Sequence, residues 1–229
     1  MTGAPDIATL NAKPDKQSFS TDRRRKFVIA TVLILAAIVA VNHEQVTALR
    51  DRFIPKRWGV VQEGKIYRSG QLSRHLVKRV LQDNHIQTVV DLTFDNPEDA
   101  NHTAELAAIV ELGIERKLCP LDSDGTGDAH IYAQAVSAVA AAAREGKPVL
   151  VHCVAGAQRT GGVVALYRLL IEGKSPDDVL AEMQRYKYDP VRSPRLQAYL
   201  NAHIAEIAED LVRDGTIERV PTPLPKLGG

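Results

Sequence analysis

The feature that most constrains this chain is the run Val149-Leu-Val-His-Cys-Val-Ala-Gly-Ala-Gln-Arg-Thr-Gly161, followed by Gly162. An apolar segment of strand character feeds a turn of small and polar residues, and an amphipathic helical pattern begins at once. Cys153 stands at the strand exit, with Arg159 six positions later at the helix start. Between them lie Val154, Ala155, Gly156, Ala157 and Gln158, which leave room for the backbone to curl so that successive N–H groups face inward. Such a nest at a helix amino terminus binds anions. The same field favours a thiolate over a thiol. A planar guanidinium at Arg159 can hold two oxygens of a tetrahedral anion. Together these groups suit nucleophilic attack on a phosphate ester.

The surrounding pattern supplies a frame for that turn. Residues 58–73 hold two short apolar runs split by Glu63-Gly64-Lys65, as in a β-hairpin. Helical spacing is expected from Ser73 to about Asn84, from Pro97 to Leu112, and from Ala129 to Arg144. It is expected again from Thr160 to Ile171, from Ser175 to about Tyr186, and from Arg195 to Arg213. The face of the second of these is read as Leu106, Ile109 and Val110, with Gly113 as its stop. Strands are expected at 87–92, 114–119 and 148–153, so strands alternate with helices. That order predicts an α/β sandwich with a mostly parallel central sheet flanked by helices.

Composition narrows the function classes. The 229 residues carry 29 Lys plus Arg against 28 Asp plus Glu, a net charge of +1, which argues against a broadly basic nucleic-acid protein. A hydrophobic content of 45% argues against a disordered chain. Two cysteines, Cys119 and Cys153, exclude a disulfide scaffold and an all-thiolate zinc site. The balance is a cancellation: residues 1–26 are +3, residues 27–42 are uncharged, and the remainder is -2. Phe27 to Val41 is apolar and follows Arg23-Arg24-Arg25-Lys26. It would span roughly 22 Å as a helix, short of a hydrocarbon core of about 30 Å unless its flanks extend it. This reads as an N-terminal transmembrane helix at 27–42 behind a cytoplasmic basic tail at 1–26. A linker at 43–57, a catalytic domain at 58–213 and an irregular tail at 214–229 would follow. The expected location is then a single-pass inner or plasma membrane, with the catalytic domain periplasmic or extracellular. A cleaved signal peptide and a buried soluble helix are the alternatives.

The H-C-x5-R-T-G arrangement resembles the protein tyrosine phosphatase superfamily, and within it the compact dual-specificity branch. Ile66-Tyr-Arg-Ser-Gly-Gln-Leu72 is similar to an early strand of the bacterial and atypical members. The resemblance covers about residues 58–213. It implies a phosphomonoester hydrolase in which Cys153 forms a phosphocysteine intermediate and Arg159 binds phosphate and steadies the transition state. Thr160 would help the thiolate leave, and His152 would order the loop. The residues Val154, Ala155, Gly156, Ala157 and Gln158 would line the phosphate. No metal and no cofactor is required. The resemblance also places a general acid about 30 residues before the nucleophile. Asp122, Asp124 and Asp128 stand 31, 29 and 25 positions before it, and Pro120-Leu121-Asp122 fits best. Asp124 and Asp128 are alternatives, and Asp128 could instead cap a helix.

A phosphorylated protein, at phosphotyrosine or at both residue classes, is the first substrate expectation. A phospholipid or inositol phosphate is the alternative, weakened because Val154 to Gln158 include no Lys or Arg. The membrane, through residues 27–42, is an expected partner, and nucleic acid is not. A rhodanese-like sulfurtransferase and a noncatalytic phosphate-binding module are the competing classes. Cys119 reads as a core residue at a strand end, with a protective disulfide to Cys153 as the minority reading.

Overall fold

The structure is a computed structural model. It describes residues 18–228 and, within the first helix, the side chains of 23–34, 36, 37, 46 and 49–51. The part of the expected basic tail at 1–17 lies outside the described residues. Helix α1 (Ser18–Asp51) runs through the apolar segment without a break and on through the expected linker as far as Asp51. Among the described residues, no helix is long and apolar enough to cross a membrane. That corrects the expected transmembrane helix at 27–42, and with it the membrane partner and the single-pass location. The physical reason lies in the span: a 15-residue apolar run falls short of a bilayer core, and charged or polar residues bracket it.

Residues 50–229 form a compact unit separate from residues 1–49. Strands β1 (Gly59–Gln62) and β2 (Ile66–Gly70) pair antiparallel around the Glu63-Gly64-Lys65 turn, as the two split apolar runs predict. The other strands are β3 (Thr88–Asp91), β4 (Glu115–Leu118) and β5 (Val149–Cys153). The sheet order is β1-β2-β5-β3-β4, and every pairing beyond the hairpin is parallel. Strand β5 is therefore central, and its carboxyl end is where ligands gather in such sheets.

Helices α2 (Val77–Asp83) and α3 (Ala100–Leu112) cover one face. Helices α4 (Ala129–Arg144), α5 (Gln158–Leu170), α6 (Pro176–Arg185) and α7 (Pro194–Arg213) cover the other. The pleat decides which core each strand residue joins. Val149, Val151 and Cys153 pack with the α4–α7 side, while Leu150 packs with the α2/α3 side. His152 alternates with Cys153 and so shares the side of Leu150. Helix α7 sets Leu196, Leu200, Ile204, Ile207 and Leu211 in the core at helical spacing, each contributing about 1.5–3 kcal/mol of burial.

Two expectations shift. Helix α2 begins at Val77, because the Ser73 carbonyl already accepts from the N–H groups of Leu76 and Val77 in a turn. The buried face of α3 is His102, Glu105, Ala108 and Ile109, whereas Val110 is 81% exposed. The Asp99 carboxylate caps α3, and Gly113 ends it in the left-handed conformation. Among the described residues, the tail after α7 has no helix or strand, yet it docks: Leu227 is buried, and its carbonyl accepts from Gln197 and Asn201.

Candidate active site

The loop from β5 to α5 closes around the Cys153 thiol. The Gly156 N–H donates to Cys153 Sγ at 3.1 Å. Gly156 has φ +77°, and a Cβ there would lie 2.4 Å from the Gly70 nitrogen. Only glycine allows the loop to pass this close to the end of β2. Burial by itself would push the Cys153 thiol up. Bonding to Thr160, the charge of Arg159 and the Gly156 N–H outweigh it, so the thiol is held below its ordinary value. Arg159 is 8% exposed, and its Nη1 donates to the carbonyls of Leu92 at 3.2 Å and Leu121 at 3.5 Å. Those carbonyls, at the end of β3 and before the aspartate loop, fix the guanidinium plane. Thr160 is buried, with its hydroxyl 3.4 Å from the Ser69 carbonyl. The residues Val154, Ala155, Gly156, Ala157 and Gln158 lie between the end of β5 and the first turn of α5.

The three candidate aspartates occupy different environments. Asp124 is committed to its own turn: Oδ1 accepts from Thr126 N at 3.0 Å and Oγ1 at 2.7 Å, and Oδ2 lies 3.5 Å from Arg195. The Thr126 bonds and then Arg195 hold its carboxyl below the ordinary range. Asp128 caps α4 through the His130 N–H at 2.8 Å. Asp122 is exposed, and among the described residues nothing is hydrogen-bonded to its carboxylate. Its backbone N–H donates to the Thr126 carbonyl at 3.0 Å, and Tyr132 braces the same loop by donating to the Gly125 carbonyl at 2.5 Å.

Behind the loop lies a buried charge network that the sequence reading missed. His152 Nε2 is 3.1 Å from Glu105 on α3 and 3.8 Å from Asp91 on β3. Burial alone would lower the imidazole, but Glu105 and then Asp91 outweigh it and raise His152 to about 9. Asp91 also accepts from Thr93 and from Arg116 on β4, which bridges to Asp95, and His102 pairs with Asp95. Asp91, His102 and Glu105 bring ligand-type atoms within 4.8 Å of one another. They are poor candidates for a metal, because Arg116 and His152 already supply their counter-charges.

Two arginines also went unread. Arg68 on β2 is fully buried, donates to the Gly156 carbonyl at 3.1 Å, and stacks 3.9 Å over the Tyr186 ring. Burial lowers it to about 10, with Tyr186, Glu182 and Cys153 favouring its charge. A charged residue in the middle of a short strand was the available signal. Arg57 donates to the Ala155 carbonyl at 2.5 Å, and the Lys56 carbonyl accepts from Gly70 N–H at 2.7 Å. Lys56 and Arg57, at the end of the expected linker, thus strap the phosphate loop. Both cysteines are free thiols, and Cys119 is raised to about 11 by burial and by Asp91.

A mostly parallel sheet whose central strand ends in this Cys-x5-Arg nest is the arrangement of the tyrosine and dual-specificity phosphatase superfamily. Residues 69–205 match the family model described as dual specificity phosphatase, catalytic domain, and the chain belongs to that family. It is 32% identical over 120 residues to the dual specificity protein phosphatase TpbA of Pseudomonas aeruginosa (strain UCBPP-PA14). Those residues are 52% of this chain, and the chain spans about half the length of that curated relative. The crystal structure of P. aeruginosa TpbA superposes with a TM-score of 0.53 at 25% identity, covering 66% of this chain and 88% of that one. The core catalytic domain of the PP-IP phosphatase SIW14 from S. cerevisiae shares the fold, with a TM-score of 0.55 at 19% identity, covering 75% and 97%. A TpbA variant has also been solved with phosphotyrosine bound.

Proposed function

We propose that this protein is a phosphomonoester hydrolase that works through a phosphocysteine on Cys153, with residues 58–213 as its catalytic domain. One observation carries the reading. The Cys153 thiol is biased toward thiolate inside a nest that also presents Arg159. The thiolate attacks phosphorus, forming the S–P bond as the ester P–O bond breaks. Arg159 and the amides of Val154 to Gln158 hold the nonbridging oxygens. Asp122 gives its proton to the leaving oxygen, since Asp124 and Asp128 are tied to Thr126 and to the α4 terminus. Water then attacks phosphorus, its proton passes to Asp122, and the S–P bond breaks to return the thiolate. Thr160 supports that departure, and His152 positions the loop.

Phosphotyrosine, or phosphotyrosine with phosphoserine and phosphothreonine, is the first substrate class, in keeping with the bacterial relative and its phosphotyrosine complex. A phospholipid or inositol phosphate is the second reading, favoured by Arg57, Lys187 and Arg192 beside the loop. The test is phosphate release by the full chain from p-nitrophenyl phosphate, phosphopeptides and phosphoinositides, with thiosulfate turnover as the sulfurtransferase control. Turnover of phosphate esters that disappears in Cys153→Ser is expected. Full activity in that variant would sink the mechanism, and phosphopeptide binding without turnover would favour a binding module.

A further inference from the structure

Beside the phosphate loop is a second cleft of about 680 Å³, which Gln158 shares with the loop but which neither Cys153 nor the three aspartates line. Its charged lining is Arg57, Lys187 and Arg192 against Asp189. Asp189 is largely used up: Oδ1 accepts from the N–H groups of Val191 and Arg192, and Oδ2 lies 3.5 Å from Arg192. Among the described residues, no carboxylate pairs with Arg57 or Lys187. The formal excess of the lining is +2, which matches the charge of a phosphomonoester at neutral pH, close to -2.

The backbone carries a second, independent sign. Arg57 (φ +48°) and Lys187 (φ +70°) both sit in the left-handed region, where residues with side chains are uncommon. Lys187 follows the last turn of α6, and the next N–H, of Tyr188, returns to the Met183 carbonyl. This is the position after a helix that glycine takes without steric cost. Here a lysine is held there instead, with its charge on the cleft wall. Strained side-chain-bearing residues of this kind gather at ligand sites.

We propose that this cleft is a second anion subsite, which takes a phosphate borne by the same molecule whose scissile phosphate enters the Cys153 loop. The substrate of that second reading is then a small polyol carrying two or more phosphomonoesters, free or as a lipid headgroup. The volume falls in the range of small-molecule sites. Missing basic residues within Val154 to Gln158 do not count against such a substrate, because Arg57, Lys187 and Arg192 supply the charge from neighbouring segments. The inference rests on the phosphatase reading and deepens its second substrate class.

The experiment compares kcat/KM of the full chain on myo-inositol bisphosphate, myo-inositol monophosphate and p-nitrophenyl phosphate. Parallel arms use phosphatidylinositol bisphosphate in phosphatidylcholine vesicles and singly and doubly phosphorylated peptides. The bisphosphate should exceed the monophosphate by about tenfold or more, the worth of one charged contact pair. A gain on the soluble compound supports a free polyol, and a gain confined to vesicles supports a headgroup. Lys187→Gly with Arg192→Gln should erase the gain and leave p-nitrophenyl phosphate turnover unchanged. Glycine is the low-strain residue at position 187, so the variant keeps the fold. Equal rates on bisphosphate and monophosphate, or a gain that survives the double substitution, would overturn the subsite. A gain seen only with the doubly phosphorylated peptide would overturn the polyol class. An enzyme inert toward p-nitrophenyl phosphate would instead bring down the phosphatase reading itself.

Discussion

Glu105→Gln removes one charge from the network behind the loop and leaves the side-chain shape intact. His152 is 1% exposed and Glu105 is 2% exposed, so water screens their pairing little. The groups facing His152 are Glu105 from α3, Asp91 from β3 with Arg116 beyond it, and Cys153 on its own strand. Together they outweigh the burial that would neutralise it and raise it from 6.5 to about 9. That rise is a preference of about 3 kcal/mol for the charged form in the folded protein. Because the folded value lies above the unfolded one, the contribution is complete below about pH 6.5 and is lost as pH rises through about 9. Glu105→Gln removes the larger share of that preference while Asp91 and Cys153 remain, and should lower stability by about 1–3 kcal/mol at pH 6, a fall of roughly 2–12 °C in Tm for a domain of this size. The gap should close by about pH 10, where His152 is neutral in both proteins. The same loss of positive charge beside Cys153 should move the acid limb of the kcat/KM profile to higher pH. Thermal unfolding across pH, with the rate profile on p-nitrophenyl phosphate, measures both. A Tm within about 2 °C of the parent at every pH and an unmoved acid limb would refute the reasoning.

Three further outcomes follow from the site. Asp122→Ala should depress kcat about 10²–10⁴-fold on poor leaving groups and far less on p-nitrophenyl phosphate, while Asp124→Ala should show no such dependence; equal leaving-group slopes would misplace the acid. Gly156→Ala must put a Cβ at 2.4 Å from the Gly70 backbone at a positive φ. Vanadate binding should be lost with a destabilisation of about 1–3 kcal/mol, read by calorimetry and inhibition. Iodoacetamide at pH 7 should label Cys153 and spare Cys119, whose value of about 11 leaves roughly one thiol in ten thousand ionised; peptide mapping reads the ratio.

Much of the frame was visible in the pattern of the chain. Alternating strands and helices gave the parallel sheet, and the polar break at Glu63-Gly64-Lys65 gave the hairpin. The Cys153–Arg159 spacing located the loop, because one strand–turn–helix unit contains all of it. What stayed hidden is what the fold assembles from a distance. Periodicity read Leu106 and Val110 as the inner face of α3, yet His102 and Glu105 point inward. Glu105 meets His152 only once β5 stands beside α3, and His102 meets Asp95 only once the segment after β3 does, and no local pattern contains those matches. Arg57 reads as linker until its guanidinium meets the Ala155 carbonyl 98 residues away. The apolar run at 27–41 misled in the other direction: hydropathy marked a membrane anchor, and among the described residues no helix meets the length and apolarity to cross.

The most direct test of the account is to trap the intermediate. The chain is mixed with a phosphate ester, quenched in acid within one turnover, digested and mapped by mass spectrometry. The account predicts one phosphoryl group on the thiol of Cys153, formed in a burst with the leaving group and absent from Cys153→Ser. Single-turnover phosphate release with the phosphoryl group on another residue, or full burst kinetics in Cys153→Ser, would contradict it.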